Sequence, residues 1–167
     1  MIAAVNLAVL SAFVHALGLL GLLYWQTRQW PRIEADFRPR HNLPVLLVMF
    51  TAILGLHVAE IFLWAGFYSW QGALPHLETS FYYSASSYTT VGYGDVVLNR
   101  SWRLVGVMES LTGVLLLGWS AAFFFSVVSR LFEIRSRLWQ RQGSRQKGAL
   151  VEKGSATADM VGQGFKS

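Results

Sequence analysis

The sequence has no cysteine and only four prolines, and charged residues make up only 14% of its 167 positions. Without cysteine there is no disulfide framework and no thiolate metal site. Soluble domains carry about a quarter charged residues. This shortage, beside 53% hydrophobic residues gathered in long runs, points away from a water-solvated globule and toward a bilayer. The net charge of +5 is accompanied by no nucleic-acid-binding motif, so no nucleic-acid partner is expected. Internal repeats and a second domain are also lacking, as are a nucleophile–base pair and a metal-ligand pattern. His57 and Glu60 are too little to make such a pattern, so neither catalysis nor a resident cofactor is expected.

What is present is a succession of apolar blocks. The first, 1–25, has no charged side chain and is long enough to span, since about 20 apolar residues suffice. It lacks the basic region that precedes a signal-peptide core and is read as a retained helix. A polar linker follows at 26–43, with Arg28, Arg32, Arg38 and Arg40, in which Pro31 and Pro39 argue against one continuous helix. A second span is expected at 44–68, with Pro44 in its first turn, and a third at 102–131. Between them, residues 77–88 form a helical pattern too short to cross, so the chain reads helix, membrane re-entry, helix. The tail 132–167 is basic, helical to about Gln142 and then disordered. Arginines crowd the linker and the tail. The positive-inside rule therefore puts both in the cytoplasm, with the N-terminus and the re-entrant segment outside. Juxtamembrane arginines also suit anionic lipid headgroups.

The re-entrant segment contains Thr89-Thr90-Val91-Gly92-Tyr93-Gly94-Asp95. A dehydrated potassium ion needs a cage of oxygens in place of water. Backbone carbonyls supply one when successive C=O groups face a single axis, which requires alternation between left- and right-handed backbone. Gly92 and Gly94 make positive φ cheap at two of these positions. One loop forms one side of such a cage, so four copies must converge.

This string resembles the selectivity filter of the potassium-channel pore-domain family, and the resemblance extends over about 44–129. It implies an all-α membrane protein, a homotetramer with three crossing helices and one re-entrant pore helix per subunit, in a plasma or inner membrane. Ions would be held by Thr90, Val91, Gly92 and Tyr93, with Gly94 and Asp95 at the external mouth. K⁺ is then the permeant ion rather than a cofactor. Tyr82 and Tyr83 match the aromatic pair that braces the filter, with Thr89 and Ser86 beside it. Some members carry a glutamate where this chain has Ser86, so the glutamate–aspartate pair of those relatives cannot form. By the same resemblance Gly113 takes the place of the hinge glycine, and Gly113, Leu117, Ala121 and Phe124 form a stripe facing the cavity, with Phe124 as a narrowing. Phe123–Phe125 read equally well as a lipid-facing cluster.

Ionisable residues inside spans should face protein or water. Glu60 lies eight residues before Tyr68 and Glu109 eight after Ser101, so both sit about 12 Å below the outer helix ends. They are expected to meet behind the short helix, touching Ser84, Ser87, Thr89 or backbone N–H groups, with His57 one turn deeper than Glu60. Asn6 and His15 are read as packing or interface residues. No arginine-repeat helix for voltage sensing is present. The function expected is passive potassium conduction; a weakly selective cation channel and a non-conducting regulatory subunit are the alternatives.

Overall fold

The computed structural model describes residues 2–35 and 39–164. Its elements are α1 (Ile2–Ala35), α2 (Pro39–Trp70), α3 (Leu77–Tyr88) and α4 (Arg103–Gly164), with no strand among the described residues. Three segments are long and apolar enough to cross a membrane: Ile2–Pro31, Leu43–Trp70 and Arg103–Arg141. The protein is therefore an all-helical membrane protein. The chain divides into two compact units, Met1–Ser126 and Val127–Ser167.

The linker is shorter than its prolines suggested. Pro31 lies inside α1, and α2 begins at Pro39, so Pro39 rather than Pro44 occupies the first turn. Proline suits that position because its missing N–H has no helical partner there. Pro31 comes only four residues before α1 ends, where few backbone bonds remain to be lost. Pro44 falls inside α2 and removes one donor from it.

α1 lies antiparallel on α2. Trp64 Nε1 donates to Ser11 Oγ at 3.1 Å, and Ser11 in turn donates to the Leu7 carbonyl at 3.0 Å. Farther along α1, Gly18 leaves room for Leu56, whose Cδ2 would stand 2.7 Å from a Cβ at that glycine. Ala4 and Leu7 join Ile61, Trp64, Tyr68, Leu74, Tyr88, Leu98 and Val105 in one apolar cluster, so α1 belongs to the same core as the helices that follow.

α2 stops in a Schellman turn. Gly72 at φ +62° sends its N–H to Ser69 O at 3.2 Å, and Ala73 N–H reaches Tyr68 O at 2.9 Å. Pro75 and an extended His76 (φ −136°, ψ 150°) then redirect the chain, and α3 starts at Leu77, where the sequence pattern placed it. In the second unit, α4 carries a buried stripe of Val127, Leu131 and Ile134. Its backbone is helical to Gly164, beyond the limit near Gln142 expected from composition. No proline follows Pro75, and alanine, glutamate, lysine and glutamine favour helix there.

Candidate functional site

α3 turns Ser80, Ser84 and Tyr88, spaced at i and i+4, into the protein interior. Its C-terminus runs directly into the segment that carries the motif. Thr89 caps it, sending its N–H to Ala85 O at 3.2 Å and its Oγ1 to the same carbonyl at 2.6 Å. Thr90 N–H bonds Ser87 O at 3.0 Å and Gly92 N–H bonds Ser86 O at 3.1 Å. Ser86 Oγ accepts from Tyr93 N at 3.4 Å. Ser86, where some relatives have a glutamate, therefore ties the segment back to α3 through both its carbonyl and its hydroxyl.

Left-handed backbone recurs at alternate positions: Thr90 (φ +62°), Gly92 (+55°) and Gly94 (+79°). The glycines were expected there. Thr90 was not, because a β-branched residue at positive φ is a steric outlier that no propensity anticipates. Thr90 to Asp95 are exposed in the single chain, with Val91 at 53% and Tyr93 at 72%.

Tyr82 and Tyr83 face different partners. The Tyr82 hydroxyl donates to Asp95 Oδ2 at 2.7 Å, and its ring stacks near-parallel on Tyr93 with centroids 6.5 Å apart. Asp95 also accepts from Val96 N–H at 3.0 Å. The Tyr82 hydroxyl holds the Asp95 carboxyl below its ordinary range, and the same bond raises the Tyr82 phenol. Tyr83 packs edge-on against Tyr68, and its hydroxyl rests on Gly106 of α4.

The two glutamates do not share one cluster. Glu109 is fully buried and accepts from Ser84 Oγ at 2.5 Å and Tyr68 OH at 2.9 Å. Ser84 also reaches Ile61 O at 3.0 Å. Glu60 turns elsewhere. It accepts from the Tyr88 hydroxyl and lies 2.8 Å from His15 Nδ1 and 3.2 Å from His57 Nδ1. The carboxylates thus grip adjacent turns of α3, at Ser84 and Tyr88. Among the described residues neither hydrogen-bonds Ser87 or Thr89. Side-chain direction decides this: equal depth on two helices leaves open which way each group points.

His15 corrects the reading of α1. It is fully buried, bonded to Glu60, and 3.1 Å from Ser120 Oγ of α4 through Nε2. The rule that picked out His57, an ionisable group within a span, applied equally to His15. Tyr68, Tyr88 and Ser120 carried no comparable signal. Asn6 is exposed.

On α4, Gly113 is buried where a methyl group would overlap the Tyr88 carbonyl oxygen. Leu117 and Ala121 are exposed in the single chain and Phe124 is half-buried.

Residues 48–130 match the family described as Ion channel. A stretch of 77 residues is 34% identical to the voltage-gated potassium channel regulatory subunit KCNG2 of Gallus gallus, covering 46% of this chain and 15% of that protein. The chain therefore spans a small part of the curated relative it matches. No solved structure matches. With a short non-crossing helix and a left-handed-alternating loop set between two apolar spans, residues 48–130 form an ion-channel domain of the potassium-channel-like class.

Proposed function

We propose that the chain is a subunit of a homotetrameric, potassium-selective channel that conducts passively. The observation that carries this reading is the alternation of left-handed backbone at Thr90, Gly92 and Gly94 within an exposed TTVGYGD segment. Such alternation turns successive C=O groups toward one side. Four copies then offer rings of oxygens from Thr90, Val91, Gly92 and Tyr93, with the Thr90 hydroxyl at the inner end. Ions shed water into these rings, occupy them in single file and advance by mutual repulsion. The C-terminal end of α3, with its partial negative charge, favours a cation beneath them.

In this arrangement Asp95 and Gly94 stand at the outer mouth, and Tyr82 with Asp95 holds its rim. Leu117, Ala121 and Phe124 line the route below the filter. The N-terminus and the α2–α4 connection are external, and the arginine-bearing tail is cytoplasmic. The match to a regulatory subunit supports a second reading, in which the chain assembles with another channel and does not conduct alone.

Flux through liposomes holding the purified chain separates the two. Potassium flux with a reversal potential that follows the potassium gradient in mixed potassium and sodium is expected. Gly92→Ala, which puts a Cβ at φ +55°, should abolish that selectivity in a chain that still inserts. A reversal potential indifferent to the two ions indicates a weakly selective channel. Absence of flux from a folded tetramer supports the regulatory reading.

A further inference from the structure

Four helices converge on one buried group of side chains that conduction does not use. His15 from α1, His57 and Glu60 from α2, Tyr88 at the end of α3 and Ser120 from α4 are all buried. His15 Nδ1 stands 2.8 Å from Glu60 Oε1. His57 Nδ1 stands 3.2 Å from Glu60 Oε2 and 2.9 Å from the Tyr88 phenolic oxygen, which also contacts that carboxylate. Ligand atoms of His15, His57 and Glu60 all lie within 4.8 Å of one another. A tetrahedral ion with bonds of about 2.0 Å has ligand–ligand edges of about 3.3 Å, close to the His15–Glu60, His57–Glu60 and His57–Tyr88 separations.

The far side of the cluster is more telling. His57 Nε2 and His15 Nε2 each lie 3.1 Å from the same Ser120 Oγ. That hydroxyl has one proton and two lone pairs. If both Nδ1 atoms carried hydrogen toward Glu60, both Nε2 atoms would be bare acceptors and Ser120 could satisfy only one. Without a cation the two imidazoles must therefore differ in tautomer, one carrying hydrogen toward Glu60 and the other toward Ser120. If both Nδ1 atoms instead bind a cation, both Nε2 atoms carry hydrogen, and the two lone pairs of Ser120 accept both. An oxygen that receives the second N–H of each metal-bound histidine is the usual support of such a site.

We propose that His15, His57 and Glu60, closed by Tyr88, bind a divalent ion of the zinc type behind the short helix α3. Two imidazoles and two oxygens, without thiolate, suit Zn²⁺ or Co²⁺. Calcium and magnesium, which take six or more oxygens, do not fit. Two neutral imidazoles and a carboxylate leave one positive charge on the ion, and loss of the Tyr88 proton cancels it. Uptake releases a proton if Tyr88 ionises. This departs from the expectation of no resident metal, which rested on His57 and Glu60 alone. It does not depend on conduction.

Tag-free full-length chain in detergent, stripped with chelator, would be titrated with Co²⁺ and then Zn²⁺. The visible spectrum of tetrahedral Co²⁺ should rise to one ion per chain and vanish on addition of Zn²⁺. His15→Gln and His57→Gln should lose most of the affinity. Ser120→Ala, which keeps every ligand, should lose about 10- to 100-fold, whereas His41→Ala and His76→Ala should bind as the parent does. Should the histidine variants fail to fold, Ser120→Ala and the stoichiometry of Co²⁺ uptake by the parent chain decide. No uptake by the folded parent, or affinity unchanged in the His15, His57 and Ser120 variants, would overturn the proposal. A cluster that only exchanges protons would give the first of these results.

Discussion

Thr90 is held where a β-branched side chain is least comfortable, at φ +62°. Left-handed backbone costs a non-glycine residue about 1–2 kcal/mol. Thr90→Gly should therefore raise the melting temperature of the purified chain while weakening cation binding, because the hydroxyl oxygen goes with the side chain. Tyr82 supports the loop from outside. Its hydroxyl favours the ionised Asp95, so the bond is complete above the ordinary carboxylate range and is lost as pH falls through the depressed value. Tyr82→Phe should move the Asp95 titration upward, and carboxyl signals followed by NMR against pH would show it. An unmoved titration would mean that the bond does not form in solution. At this scale the motif could be read directly, because its glycines announce their backbone angles. Thr90's angle could not, since it accompanies its own N–H bond to Ser87 O and that of Gly92 to Ser86 O.

Elements were legible where composition and period agreed. Leu77–Tyr88 emerges as read; Pro75 stands before its start, and Thr89 caps its end just ahead of left-handed Thr90. The linker and tail differ from their composition because single residues yield to whole helices: Pro31 sits near the end of α1, where it costs little, and no proline after Pro75 stops α4. Contacts between elements leave the faintest trace in sequence. Gly113 and Gly118 look alike there, yet a methyl at Gly118 meets nothing within 4 Å, whereas one at Gly113 overlaps the Tyr88 carbonyl. Gly118→Ala should be neutral or stabilise by about 0.5–1 kcal/mol. Gly113→Ala should destabilise by about 1–3 kcal/mol through overpacking. Thermal unfolding in detergent would separate them, and equal effects would argue against this contact. Similarly, Glu109→Ala strands the Tyr68 hydroxyl and should cost about 1–3 kcal/mol, while Glu109→Gln retains an acceptor and should cost less.

For the whole molecule, the arrangement to explain is an exposed filter segment beside helices with exposed apolar faces. Val91 and Tyr93 lie open, as do Leu104, Val107, Leu111 and Leu115 on α4. Lipid can cover helix faces but cannot satisfy the backbone of an irregular loop at membrane depth. In the proposed homotetramer further copies of the chain answer both needs, and mass measurement of the detergent-solubilised protein should report a tetramer. A monomer or dimer that still passes ions would contradict the proposed assembly. The proposed assembly has its sign in sequence in the filter motif, because one loop would supply one wall. Sequence could not indicate that α1 joins the core of its own chain through His15, since that contact links residues far apart in sequence.

The flush seat of Gly113 on the Tyr88 carbonyl leaves α4 no slack against the end of α3. A swing of α4 at that point must either slide across a rigid peptide unit or carry it along, and Tyr88 is two residues from the first left-handed position of the loop. In the proposed channel, inner mouth and ion cages are in that sense geared together, with a missing side chain as the tooth.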